Sequence, residues 1–127
     1  MFRILVVEDD QELRQLFSRM LSRNGYETLA ASDGEEALDL IETENIDLII
    51  SDIMMPGVDG FDLAASIRES GYTTPILMIT AASSFSDMRK GFISGTDDYM
   101  VKPVNLDEMV LRVGALLRRA QMISERR

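Results

Sequence analysis

Short apolar runs alternate along the chain with longer stretches in which apolar residues recur at helical spacing. Each run is too short for a helix, and three are nearly continuous in Ile, Leu and Val, which is typical of strands covered on both faces. The pattern predicts strands over residues 4–7, 28–31, 48–50, 76–79 and 99–101. It predicts helices over 11–24, from 33 past 41, and over 61–70, 85–94 and 106–117. Asp10 and Asp33 are the expected N-caps of the first two helices.

Five strands that alternate with five helices predict a parallel sheet with helices on both faces, because the crossovers are right-handed. The expected fold is α/β, a flavodoxin-like (βα)5 doubly wound sandwich whose strands lie in the order 2-1-3-4-5. The chain of 127 residues is long enough for one such domain. We expect the domain over residues 1–120 and a C-terminal tail, or the start of a linker, over 121–127.

Composition excludes several kinds of chemistry. The sequence has no cysteine and no histidine, which excludes disulfides, thiolate nucleophiles, Cys/His zinc sites and any imidazole from this chain. A net charge of −9 repels phosphate, so we expect no direct nucleic-acid binding. No apolar stretch is long enough to span a membrane, and the start lacks a signal-peptide pattern. We therefore expect a cytoplasmic protein without membrane contacts.

Polar residues follow four of the five predicted strands. Glu8 and Asp9 follow the first strand, Asp52 the third, Thr80 ends the fourth and Lys102 follows the fifth. Because the carboxyl ends of parallel strands meet at one edge of the sheet, these side chains are expected to converge. Three carboxylates at close range repel one another unless a cation joins them. Oxygen ligands alone favour a hard ion, so the sequence predicts a Mg²⁺ (or Mn²⁺) site.

The same residues suit phosphoryl transfer. A metal at this edge could accept oxygens of a phosphoryl group, while the Lys102 ammonium and the Thr80 hydroxyl contact other oxygens. A carboxylate can attack phosphorus and form an aspartyl phosphate, and Asp52 is the best-placed nucleophile.

Four segments, in their order and at their separations, resemble the receiver domain of two-component response regulators over essentially the whole chain. The segments are Ile4-Leu5-Val6-Val7-Glu8-Asp9-Asp10, Asp47-Leu48-Ile49-Ile50-Ser51-Asp52-Ile53-Met54-Met55-Pro56-Gly57-Val58-Asp59-Gly60, Pro75-Ile76-Leu77-Met78-Ile79-Thr80-Ala81 and Gly95-Thr96-Asp97-Asp98-Tyr99-Met100-Val101-Lys102-Pro103. The resemblance implies that Asp52 is the phosphoacceptor. It also implies that Glu8 and Asp9 form the acid pair, with Asp9 a direct Mg²⁺ ligand. Asp52 and the backbone carbonyl of Met54 would complete the ligands from the protein.

The resemblance implies a switch beside this site. Thr80 would be the hydroxyl drawn toward the phosphoryl group, Tyr99 the aromatic residue that turns inward with it, and Lys102 the phosphate-pairing cation. Ala81 matches the small residue that leaves the site accessible. The Lys102–Pro103 bond is a candidate cis peptide, as is usual in the family.

The Glu-Asp-Asp start, the Asp-Asp-Tyr run and the terminal Leu-Leu-Arg-Arg are most similar to the OmpR/PhoB type. That type dimerises through the fourth helix, fifth strand and fifth helix of the receiver. The sequence departs from the pattern at Met88 and Gly114, where that type commonly has basic residues. The resemblance implies an interface that includes Lys90, Asp97, Asp98, Glu108 and Arg112.

The expected function is therefore a signalling switch rather than a conventional enzyme. A partner sensor histidine kinase would donate the phosphoryl group, and the domain would catalyse its own phosphorylation and slow dephosphorylation. Phosphorylation would switch the face formed by the fourth helix, fifth strand and fifth helix and so control output, which in a longer regulator would be transcription. A homodimer could form through the same face on phosphorylation. Two alternatives stay open: a pseudo-receiver that binds partners without phosphorylation, and a small nucleotide- or flavin-binding protein on the same fold.

Overall fold

The computed structural model describes residues 1–81, 89 and 95–125, and within them strands and helices alternate. The strands are β1 (Arg3–Val7), β2 (Glu27–Ala31), β3 (Leu48–Asp52), β4 (Ile76–Thr80) and β5 (Asp98–Val101). The helices are α1 (Gln11–Arg23), α2 (Gly34–Thr43), α3 (Gly60–Glu69) and α4 (Leu106–Glu125). The predicted helix over 85–94 lies outside the described residues, apart from Arg89.

The five strands form one parallel sheet in the order β2-β1-β3-β4-β5, which confirms the predicted order. The strands end one beside another: Asp52 is in register with Ile79, and Thr80 with Val101. The sheet includes polar ends that the apolar pattern omitted, since β3 reaches Asp52 and β4 reaches Thr80. The reason is that backbone groups make the ladder whatever the side chain is.

Helices cover both faces of the sheet and bury it completely in its centre. The side chains of β1 alternate between the two faces: Leu5 and Val7 pack with α2 and α3, whereas Ile4 and Val6 pack with α1 and α4. All five residues of β3 and of β4 are buried. This double coverage explains why the strands read as continuous apolar runs.

Aspartate side chains cap three of the helices. Asp10 Oδ1 accepts the Glu12 N–H at 2.9 Å, and Asp33 Oδ1 accepts the Glu36 N–H at 2.8 Å, which confirms both predicted N-caps. Asp59 caps α3 in the same way. At the other end of the chain α4 continues to Glu125, so residues 121–125 extend the last helix.

Gly60 lies where the start of α3 passes close to the end of β3. A Cβ atom at this position would stand 2.5 Å from the Asp52 carbonyl oxygen and 2.8 Å from the Ile53 Cα. The Gly60 N–H also donates to the Ile53 carbonyl at 2.9 Å. Backbone atoms cannot move aside as a flexible side chain can, so only glycine fits here.

We expect Gly60→Ala to lower the free energy of unfolding by about 1–3 kcal/mol, because the added methyl group overpacks against backbone. The matched control is Gly114→Ala in α4, where the nearest atom to a Cβ is the flexible end of Arg118 at 3.3 Å. That variant should gain about 0.5–1 kcal/mol, since alanine is the better helix former. Urea denaturation of both variants checks this, and equal effects would contradict it.

Candidate functional site

Three carboxylates meet at the carboxyl end of the sheet. Glu8 follows β1, Asp9 lies in the loop before α1, and Asp52 ends β3. One oxygen of each carboxylate lies within 4.8 Å of the others. Glu8 and Asp52 are only 1% and 4% exposed, whereas Asp9 is open to solvent. The structure brings these three carboxylates together, as predicted.

Lys102 reaches the same point from the far edge strand. Its Nζ donates to Asp52 Oδ2 at 2.8 Å and to Glu8 Oε1 at 3.2 Å. Burial disfavours the charged amine, but hydrogen bonds and charge from Asp52 and Glu8 outweigh it and raise the pKa of Lys102. The ammonium is therefore held charged between two buried carboxylates.

One ammonium does not satisfy the acidic cluster. Burial, followed by a hydrogen bond with Asp9 and the charge of Asp52, raises the pKa of Glu8 to about 7, while the Asp10 backbone N–H and Lys102 act in the opposite direction. Burial and the neighbouring carboxylates thus disfavour the charged form of Glu8 in the absence of a metal. The cluster has more negative charge than its protein partners neutralise.

The donor set fits a hard divalent cation. The three residues offer carboxylate oxygens only, which suit Mg²⁺ or Mn²⁺ better than zinc or copper. Glu8, Asp9 and Asp52 are the residues that would hold it. Met54 lies next to them, since its backbone N–H donates to Asp52 Oδ1 at 3.3 Å and its side chain is exposed. A metal contact from its carbonyl stays a prediction.

The two predicted switch residues lie on the neighbouring strands β4 and β5. Thr80 ends β4 with 5% of its surface exposed, and its carbonyl accepts the Lys102 backbone N–H at 2.7 Å. Tyr99, in β5, is buried. The Lys102–Pro103 peptide is cis, as predicted. Ala81, after Thr80, is exposed.

The predicted interface residues divide into two groups. Arg112 contacts Asp98 through Nη1 at 2.9 and 3.1 Å, and it contacts Glu108 at 3.0 and 3.1 Å, so these three form one cluster. These hydrogen bonds raise the pKa of Arg112. Asp97 lies apart from them and pairs with Arg68 of α3. Lys90 lies outside the described residues.

Two arginines that the sequence pattern did not single out contact functional segments. Arg68 Nη2 lies 2.9 Å from Asp97 Oδ2 and also donates to the Gly95 carbonyl. Arg14 Nη1 donates to the Glu8 carbonyl at 2.8 Å. Both lie on helices where an arginine normally indicates only a solvated surface, so the sequence contained no signal for either contact.

Comparison with known proteins identifies the family. The family model described as the response regulator receiver domain matches residues 4–114. The chain belongs to this family. Its solved relatives include the receiver domain of the Francisella response regulator 1452, at 38% identity and a TM-score of 0.90 over 94% of this chain and 99% of that one.

Another solved relative of this receiver domain is the response regulator TrrA of Thermotoga maritima, in complex with Mg(2+)-BeF. It is 39% identical, with a TM-score of 0.83 over 91% of this chain and 99% of that one. The heme response regulator HssR of Staphylococcus epidermidis is 42% identical over 96% of this chain and 54% of its own length. The transcriptional regulatory protein YrkP of Bacillus subtilis is 46% identical over 99% and 54%. This receiver domain thus spans about half the length of such curated relatives.

Among the described residues of the receiver domain, no helix has both the length and the apolar character that crossing a membrane requires.

The raised pKa of Glu8 predicts how stability depends on pH when metal is removed by a chelator. The folded-state pKa of about 7 lies above the ordinary 4.5, so this contribution is fully present below about pH 4.5 and is lost as the pH rises through 7. Glutamine has no carboxyl proton, so the Glu8→Gln variant does not lose this contribution. The free energy of unfolding of the variant, relative to that of the wild type, should therefore increase by up to about 3 kcal/mol between pH 5 and pH 8.

Urea denaturation of both proteins across that pH range measures the gain. The control is Glu42→Gln, the same change at an exposed position of α2, for which the difference from the wild type should stay constant. A constant difference for Glu8→Gln as well would contradict the prediction.

Proposed function

We propose that this receiver domain accepts a phosphoryl group onto Asp52 from the phosphohistidine of a partner sensor histidine kinase, in a reaction that requires Mg²⁺ (or Mn²⁺). The supporting observation is the arrangement of Asp52, a buried carboxylate 2.8 Å from the Lys102 ammonium and clustered with Glu8 and Asp9. The 127 residues contain no histidine, so the phosphohistidine has to lie outside them, and we assign it to the kinase.

The transfer itself needs a nucleophile and compensation of charge. An Asp52 carboxylate oxygen forms a bond to phosphorus as the bond from phosphorus to the donor imidazole nitrogen breaks, and the imidazole leaves. The Lys102 ammonium pairs with a phosphoryl oxygen, and the Thr80 hydroxyl donates to another. Glu8, Asp9 and Asp52 would hold a divalent cation, which would further compensate the negative charge of the phosphoryl oxygens. Slow hydrolysis of the aspartyl phosphate resets the domain.

The output follows from the new charge. A phosphoryl group brings nearly two negative charges and strong acceptor oxygens to the edge where Thr80 and Lys102 lie. Movement of Thr80 toward it, accompanied by Tyr99, is the proposed switch, since both residues lie on the neighbouring strands β4 and β5. In a longer protein this switch controls an effector, and we propose transcription as that output.

Incubation with acetyl phosphate and Mg²⁺ tests the phosphoacceptor. Wild-type protein should gain the mass of one phosphoryl group, and Asp52→Asn should not, because an amide cannot act as the nucleophile. Asp39→Asn, the same change at an exposed position of α2, is the matched control and should react normally. Phosphorylation of Asp52→Asn, or full wild-type phosphorylation with a chelator present, would contradict the proposal.

The phosphorylated domain is proposed to form a homodimer through a face that includes Asp97, Asp98, Glu108 and Arg112, together with Lys90. In the described structure Arg112 already pairs with Asp98 and Glu108 within one chain. A dimer must exchange such pairs for intermolecular ones, and that exchange contributes specificity more than affinity.

Beryllofluoride with Mg²⁺ should therefore shift the wild type toward dimer in sedimentation velocity. Arg112→Gln should weaken the dimer about tenfold or more, as expected when one partner of a charge pair is removed. Arg19→Gln, which removes the same charge from the exposed surface of α1, should dimerise normally. Unchanged dimerisation of Arg112→Gln would exclude this face.

A pseudo-receiver would bind partners without phosphorylation, and it requires a degenerate pocket. Asp9, Asp52, Thr80 and Lys102 are all present, and the lysine contacts the phosphoacceptor directly. The observations therefore favour the phosphorylated switch over this alternative.

A further inference from the structure

The loop between β1 and α1 carries two of the three clustered carboxylates, and hydrogen bonds hold its backbone on both sides. The Glu8 N–H donates to the Ala31 carbonyl of β2 at 3.1 Å. The Asp10 N–H donates to Glu8 Oε2 at 3.3 Å. The Glu8 carbonyl accepts from Arg14 Nη1 at 2.8 Å. This last contact is charge-assisted and partly buried, and it is the shortest of the three.

The Glu8 carbonyl has a special position in this loop. It belongs to the peptide group that joins Glu8 to Asp9, and that group is planar. A donor that holds its oxygen therefore sets the rotation of the whole plane. The rotation in turn sets the directions in which the Glu8 and Asp9 side chains leave the backbone. The Arg14 contact thus acts on the relative orientation of the two carboxylates.

The charge of Arg14 opposes cation binding. A guanidinium next to the loop repels a divalent cation by Coulomb's law. The positive charge of Arg14 also lies near the N-terminus of α1, where the helix dipole disfavours a cation. If Arg14 acted only through its charge, its loss would strengthen metal binding. If Arg14 orients the carboxylates, its loss weakens metal binding. The two roles have opposite signs and can be separated by experiment.

We propose that Arg14 is a positioning residue of the divalent-cation site, because it holds the Glu8–Asp9 peptide so that both carboxylates face Asp52. The inference rests on the proposed function, since it concerns the metal that the phosphotransfer requires. Residues that orient metal ligands without touching the metal typically change affinity tenfold to a hundredfold when they are replaced.

Calorimetric titration of the full chain with Mg²⁺ tests this without any phosphorylation step. Arg14→Gln should bind Mg²⁺ about tenfold more weakly than the wild type, and Arg14→Lys, which keeps one donor, should recover most of the affinity. The matched control is Arg19→Gln, which loses the same charge from an exposed position of the same helix. It should bind Mg²⁺ as the wild type does, or slightly more tightly.

Added salt makes the distinction sharper, because screening reduces the Coulomb effect but not a loss of orientation. The lower Mg²⁺ affinity of Arg14→Gln relative to the wild type should therefore persist at high salt. Unchanged or tighter binding by Arg14→Gln, or an equal deficit in Arg14→Lys, would overturn the inference. Should Arg14→Gln not fold, Arg14→Met keeps the apolar stem and has the same expected deficit. A wild type that does not bind Mg²⁺ overturns the proposed metal site as well, whereas normal binding by Arg14→Gln overturns only the role of Arg14.

Discussion

The contact of the Lys102 ammonium with Asp52 and Glu8 is the interaction on which the rest of this domain depends. Two nearly buried carboxylates would repel each other and remain poorly solvated without it. Lys102 donates a hydrogen bond to Asp52 at 2.8 Å, and a carboxylate is the nucleophile that the proposed phosphotransfer requires. One ammonium does not balance three carboxylates, so the cluster retains negative charge. That remaining charge is the physical reason why a divalent cation would fit this place.

This contact requires a particular order and register of the strands. Lys102 is 94 residues from Glu8 and 50 from Asp52 along the chain. Strand β4 separates β5 from β3, so the lysine has to bridge about 10 Å at the usual strand spacing. A long side chain at the end of β5 can reach that far. A one-residue slip of β5 would turn it to the other face of the sheet.

Some features of the site followed directly from local pattern, and others did not. The capping aspartates could be predicted because a cap depends on neighbouring residues alone, and Asp10 and Asp33 both act as predicted. The partner of Asp97 could not, because Arg68 lies 29 residues away on a different helix. An arginine in the last turn of a helix is ordinary, and nothing in its neighbours reveals the carboxylate that it meets.

The sequence by itself determined the alternation of strands and helices, the parallel sheet and the residues that gather at its carboxyl edge. These follow from the periodicity of apolar residues and from the handedness of crossovers, which are local or general constraints. Only the tertiary structure decided which atoms touch. The raised pKa of Glu8, the pairing of Arg112 within its own chain and the contact of Arg14 with the acidic loop all depend on distances between remote segments. Such distances arise from the packing of whole helices and strands, so local sequence patterns do not predict them.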